Sequence, residues 1–379
     1  MSQAVQDGAG GAPLSADRET PSVVMFDARY PPPVAGGKEK QAHLLSCALR
    51  DLGVDVRVLT IRYGLNQPDE LDGVVVNRCT ANASRLVQIP TRLRRWRATS
   101  NICHVHTPSW IGVYTGLVAK ALGYRVIFKI PNVQLTAGQG RLWRRALRLF
   151  DRLVVLDERT RQEYEDAGID PARIILGSNG VVVKQRRRHE PRTGLPLRLL
   201  FMGRLVEQKG CRQLLVAARF LKQRAADWRL TMVGAGPLED ELRGTIDKWD
   251  LADVVTLVPW QDDVHRVLAQ ADAVILPSHR EGMSNVVLEA MSLGVPVVAT
   301  DVGANRFMLG EEGRPFIVAT NDAKALCEAM LAILNDTPAR VAHGAALHAR
   351  ARRFFAIGMI AKEYRRIYEE TLYPGPAEH

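Results

Sequence analysis

Residues 273–300 read AVILPSHREGMSNVVLEAMSLGVPVVAT. Ala273 to Leu276 is an unbroken apolar run, as expected of a strand buried on both faces. A polar loop, Ser278-His279-Arg280-Glu281-Gly282-Met283-Ser284-Asn285, follows it. Gly282 lets the chain turn, and Ser284 or Asn285 is a residue type that begins helices. Val286 to Leu293 fits a helix, and Val295 to Ala299 is apolar again. Strand, loop, helix and strand in this order make one unit of a parallel sheet.

The same alternation runs outward through the chain. Strand candidates are Val23–Phe26, Val54–Leu59, Val74–Val76, Ile102–His106, Arg125–Ile130, Leu153–Leu156 and Ile174–Leu176. A helix is predicted over Lys38–Leu52, and helices fit between most of the strands. Residues 185–196 then interrupt the pattern with basic residues and two prolines. They read as a hinge. Strands resume at Leu197–Phe201, Leu230–Val233 and Val254–Val258. The fold class is therefore α/β, with two doubly wound domains over 21–184 and 197–355. Residues 1–20 are polar and Gly-rich and read as a tail. A final helical stretch, Ile357 to Leu372, lies within 356–374.

With 379 residues, 46% hydrophobic and 24% charged, the composition is that of a globular protein, with no membrane-length apolar run. No apolar signal core precedes the first strand, so a cytoplasmic location is expected. Five dispersed cysteines without a C-x-x-C pair fit that compartment. No H-E-x-x-H or D-x-D is present, so no metal and no cofactor is expected.

The net charge of +10 is uneven. Residues 1–189 hold 28 basic and 17 acidic residues, whereas 190–379 hold 23 and 24. Between Asp72 and Asp151 there are 13 basic residues and no acidic one. A field of one sign points to an anionic partner: nucleic acid, anionic membrane or a phosphorylated substrate.

Ligands of open parallel sheets bind in loops at the carboxyl ends of strands. Gly203-Arg204 ends one predicted strand, and Lys209-Gly210 follows. Two cations there could clamp a diphosphate, or be solvated on an ordinary loop. Gly234 and Gly236 lie in a second glycine-bearing loop, where plain turn chemistry with Pro237 serves equally. The helix start near Ser284 offers outward amides to an anion. Glu281 and Glu289 suit hydroxyls, although Glu289 could simply pair on its helix. Gly36-Gly37, before the helix at Lys38, again exposes amides, or ends a proline-rich surface loop. G-x-G-x-x-G is absent, so a dinucleotide fingerprint is not supported.

Taken together these motifs resemble the retaining GT-B glycosyltransferases of family 4 (group 1). The resemblance rests on Gly203-Arg204 with Lys209-Gly210, on Gly234-Ala235-Gly236-Pro237, and on the Glu281-x7-Glu289 frame followed by Gly294-Val295-Pro296. Asn179-Gly180-Val181 resembles the family's exit from its first domain. It implies two Rossmann-like domains facing a cleft, with the last helix crossing back to the first. It also implies a nucleotide-diphosphate sugar, UDP- or GDP-linked, as donor. By the same resemblance Arg204 and Lys209 hold the diphosphate, as do the amides of Gly282, Met283, Ser284, Asn285 and Val286. Glu289 binds the ribose and Glu281 contacts the donor sugar. Gly36 and Gly37 approach the phosphates. No side-chain nucleophile is required of retaining members.

Two positions depart from the family pattern. A histidine common after the strand ending at Ile130 is replaced by Pro131-Asn132, which makes Lys129 a candidate substitute. The Gly303-Ala304-Asn305-Arg306-Phe307 stretch lacks the family's glutamate. His106, Lys129 and Asn132 are the acceptor-side candidates. His106 reads equally as a structural histidine.

Two stretches, 91–97 and 141–150, place arginine and tryptophan at helical spacing. They fit a helix lying on anionic lipid, and also an ordinary amphipathic surface helix. The expected acceptor is a lipid-linked or other anionic saccharide, with peripheral membrane contact. A soluble small-molecule acceptor or an epimerase of the same fold is the alternative. No zinc-finger, RNA-recognition or helix-turn-helix pattern supports nucleic acid.

Overall fold

The computed structural model describes residues 20–32, 36–64, 67–131, 141–183, 196–225 and 227–374. The predicted tail is outside these residues except for Thr20, and so is the hinge except for Pro196. The described residues form two sheets. The first contains β1 (Ser22–Phe26), β2 (Asp55–Ile61), β3 (Glu70–Leu71), β4 (Val74–Cys79), β5 (Ile102–Val105), β6 (Arg125–Ile130), β7 (Arg152–Val155) and β8 (Ile174–Leu176). Its order is β3-β4-β2-β1-β5-β6-β7-β8. Only β3 is antiparallel, paired with β4 through the Asp72-Gly73 turn. Two residues are too few for a periodic signal, so β3 is not legible in the sequence.

The second sheet contains β9 (Leu197–Met202), β10 (Trp228–Val233), β11 (Val255–Val258), β12 (Ala273–Leu276), β13 (Val297–Thr300) and β14 (Ile317–Val318). Its order, β11-β10-β9-β12-β13-β14, is wholly parallel. The predicted strand at Val295 begins two residues late. Gly294 caps the preceding helix in the left-handed region, and Pro296 has no N–H to give a ladder.

Helices cover both sheets. In the first half they are α1 (Gly37–Asp51), α2 (Arg85–Trp96), α3 (Trp110–Ala121), α4 (Arg141–Leu147) and α5 (Glu158–Asp166). In the second they are α6 (Cys211–Lys222), α7 (Glu239–Lys248), α8 (Val264–Leu268), α9 (Asn285–Leu293), α10 (Asn305–Gly313), α11 (Ala323–Asn335) and α12 (Thr337–Arg350). The last helix is α13 (Ile357–Leu372), as its periodicity predicts.

Helix α13 packs on the first sheet. Ile360, Ala361, Tyr364, Ile367 and Tyr368 share a buried cluster with Val23, Met25, Leu45 and Leu49. His104 Nδ1 lies 2.7 Å from Tyr368 Oη, and Arg365 donates to the Leu52 carbonyl. The outgoing and returning chains meet at Val181 and Ala356, where Val181 N–H donates to Phe355 O at 2.8 Å. Ala356 is extended (ψ 130), which separates α13 from the π-helical turn at Ala351–Phe355. The two sheets are thus joined twice, and their carboxyl edges face one another.

Candidate active site

The site is built by four loops at the carboxyl edge of the second sheet. Gly210 is left-handed (φ 67), and a Cβ there would lie 2.0 Å from Pro277 O. That close approach ties the β9 loop to the β12 loop. His279 N–H donates to Gln208 O at 2.8 Å and reinforces the tie. Gly303, also left-handed (φ 53), lies against the carbonyls of Glu281 and Gly282. Gly234 and Gly236 abut the backbone of Gly203 and Leu205, so a Cβ at either would strike a carbonyl. Loop packing alone accounts for the glycine at these two donor-site candidates.

Lys209 pairs with Glu281, whose side chain is largely buried, and Ser278 Oγ donates to the same carboxylate at 2.8 Å. Arg204 is exposed at the end of β9. Ser284 begins α9 without using its side chain as a cap. The first amides of α9 therefore keep their polarity toward the cleft. Met283 faces the first domain: its sulfur accepts from Asn179 N–H at 3.1 Å. Val286 is half-buried in the first turn of α9, one turn before Glu289.

Across the cleft stands α1. Gly37 meets Asn285, and a Cβ would come within 2.2 Å of its side-chain nitrogen. Gly36 is covered by the Glu39 carboxylate. Lys40 pairs with Glu289, which is 6% exposed. Gln41 exchanges two hydrogen bonds with the Gly180 backbone, at 2.8 and 3.0 Å. Sequence reasoning missed Lys40. The available signal was a cation one turn beyond the Gly-Gly pair.

Lys129, at the end of β6, is buried and donates to Asn179 Oδ1 at 3.0 Å. Its ammonium lies 5.3 Å above the Tyr364 ring. Burial pushes its pKa down to about 7, partly offset by Asp27 and Glu363. The Asn179 amide in turn donates to Asn285 Oδ1 at 3.1 Å. Lys129 is thereby linked to the first residue of α9. His106 is 4% exposed and its ring packs on His104, at 4.2 Å between centroids. Asn132 lies outside the described residues. An open pocket of about 450 Å³, lined by Lys120, Arg148 and Asp170 among others, is elsewhere and contains none of these groups.

The arrangement sets Lys40, Lys209, a helix start and two buried carboxylates around one cleft. It can hold a polyanion beside a group rich in hydroxyls.

Residues 36–180 match the glycosyl transferase 4-like domain, and residues 196–336 match the glycosyl transferases group 1 domain. The D-inositol 3-phosphate glycosyltransferase of Pseudarthrobacter chlorophenolicus is 28% identical over 84% of this chain and 86% of its own. The phosphatidyl-myo-inositol mannosyltransferase of Mycobacterium leprae is 28% identical over 90% of this chain and 95% of its own. The crystal structure of Anabaena HepE in complex with UDP superposes with a TM-score of 0.76, covering 91% of this chain and 99% of that one at 17% identity. That likeness establishes the shared GT-B fold. The chain belongs to the group 1 glycosyltransferases.

Proposed function

We propose that the chain transfers a sugar from a nucleotide-diphosphate sugar, with retention of anomeric configuration and without a metal, to an anionic or lipid-linked saccharide. The observation that carries this reading is the clustering of Lys40, Lys209, Glu281, Glu289 and the start of α9 around one cleft. Breaking a sugar–phosphate bond places charge on the departing diphosphate. Arg204, Lys209 and the α9 amides supply positive potential where that charge grows. Both cleft carboxylates are paired with lysines. A bound donor exchanges these partners: phosphate takes Lys209, and sugar and ribose hydroxyls take Glu281 and Glu289. The acceptor hydroxyl attacks from the face the diphosphate leaves, and the diphosphate receives its proton.

The acceptor side is the basic first domain. Leu86, Val87, Trp110 and Leu142 are exposed at the starts of α2, α3 and α4. Arg141 and Arg145 stand exposed beside them on α4. Trp143 is not part of this surface: it is 1% exposed and packs edge-on against Trp110. Exposed apolar side chains among arginines fit the interface of an anionic membrane. Among the described residues no helix is long and apolar enough to cross one. The contact we propose is a peripheral one, on the cytoplasmic face. The mannosyltransferase relative carries a phosphatidyl-inositol in its name, which agrees with a lipid acceptor.

Melting shifts across UDP-, GDP-, ADP- and dTDP-sugars identify the donor, because a ligand of the folded state raises its melting temperature. One sugar nucleotide stabilises the wild type and fails to stabilise Lys209→Ala. A panel with no shift for any nucleotide overturns the reading.

A further inference from the structure

A second cluster of reactive side chains lies on α1, away from the cleft carboxylates. His43 and Cys47 are four residues apart and project from the same face. Asp72, on the β3–β4 turn, reaches the same point. One ligand atom from each residue lies within 4.8 Å of the others. His43 Nε2 is 2.8 Å from Asp72 Oδ2, and Cys47 Sγ lies 3.8 Å from both ring nitrogens. His43 Nδ1 is 2.9 Å from the Tyr30 hydroxyl, which fixes the plane of the ring.

The turn that presents Asp72 is held in place. Asp72 and Gly73 are both left-handed, at φ 47 and 74. Arg50 of α1 lies against Gly73, 2.4 Å from where a Cβ would stand. The Asp72 side chain is 69% exposed and that of His43 is 15% exposed. The cluster is therefore walled by protein on one side and open to water on the other.

We propose that His43 Nε2, Cys47 Sγ and an Asp72 carboxylate oxygen form a zinc-class metal site, with water as fourth ligand. Imidazole, thiolate and carboxylate within 4.8 Å of one another are a zinc donor set, whereas magnesium favours oxygen ligands alone. Tyr30 is the outer partner that orients the ligating imidazole. On binding, the Cys47 thiol releases its proton to solvent. The imidazole proton resides on Nδ1 and is donated to Tyr30 Oη, leaving Nε2 free for the metal. The ion pins α1 to the edge hairpin. Lys40, one turn earlier on α1, is the residue that meets Glu289. The site serves position rather than chemistry, and it stands independently of the donor assignment.

The test is a cobalt(II) titration of the untagged chain, read by absorption. One equivalent produces intense visible bands of tetrahedral cobalt and a near-ultraviolet thiolate band. Zinc displaces both, and zinc alone raises the melting temperature. Cys47→Ser removes the thiolate band. Asp72→Asn weakens cobalt binding at least tenfold, and asparagine suits a left-handed turn, so the fold is kept. No thiolate band in the wild type, a band that survives Cys47→Ser, or unchanged affinity in Asp72→Asn each overturns the proposal. In those cases Tyr30, His43 and Asp72 are a hydrogen-bonded relay only.

Discussion

Lys40 and Glu289 are 249 residues apart and form an ion pair across the cleft, joining the first helix of one domain to α9 of the other. The carboxylate proposed for the ribose is thus held by its neighbour domain. Lys40 remains a third exposed on its side chain, at 33%, so the pair can open without moving the core.

Replacing Lys40 by Met leaves a largely buried carboxylate without a partner, and the protein melts lower. Adding Glu289→Gln returns part of that loss. The thermodynamic cycle across the four proteins gives a coupling of about 1 kcal/mol. Additive effects in thermal melts would show that the two residues do not interact.

Glu289→Ala and Lys209→Ala fold normally and lose transfer. The expected drop in kcat/KM for Lys209→Ala is on the order of 100-fold, as for removal of one group that stabilises a leaving anion. Near-ultraviolet circular dichroism checks the fold and a product assay checks the rate. Full activity in either variant refutes the donor-site assignment.

Gly210→Ala acts on the same site through the backbone. The residue is left-handed and a Cβ would lie 2.0 Å from Pro277 O. The substitution destabilises the protein by more than about 1 kcal/mol and lowers nucleotide affinity together with stability. Denaturant melts and nucleotide titration measure the two effects. An unchanged midpoint would contradict the packing of the two loops.

Lys129 predicts a pH dependence. Its pKa falls from the ordinary 10.5 to about 7 in the folded chain, chiefly through burial. Between about pH 7 and pH 10 the unfolded chain therefore binds more protons at this group than the folded one. Stability attributable to Lys129 rises with pH through that window, and its penalty is complete below it. Burial holds His104 well below its usual range, so the sign is the same at acid pH. Lys129→Met flattens the alkaline part of the profile in melts from pH 6.5 to 9.5. An identical slope in the variant would remove Lys129 as its source.

Vesicle co-sedimentation tests the first-domain surface. Binding is expected to anionic vesicles, to fall with salt, and to weaken in Arg145→Glu and in Leu142→Ser. Equal partitioning to neutral and anionic vesicles defeats the membrane reading.

Much of the site was legible residue by residue. Glu281, Lys209 and the start of α9 lie in loops that follow apolar runs, and parallel sheets place such loops together. Gly234 and Gly236 were legible as special positions, but not in their use, since they accommodate neighbouring backbone. Gly37 likewise makes room for Asn285. Trp143 shows the limit of helical spacing: periodicity put it among arginines, and packing turned it inward.

The sequence alone determined two doubly wound domains, the crossover helix and which loops lie at the carboxyl edge of the second sheet. These depend on apolar runs, glycines and caps, all local in the chain. Only the tertiary structure decided that Lys40 meets Glu289, that Asn179 connects Lys129 to Asn285, and that His43, Cys47 and Asp72 converge. Apart from His43 and Cys47, which are neighbours on α1, such contacts join residues from tens to hundreds of positions apart. Their partners are fixed by how helices and sheets pack, on which the local pattern is silent.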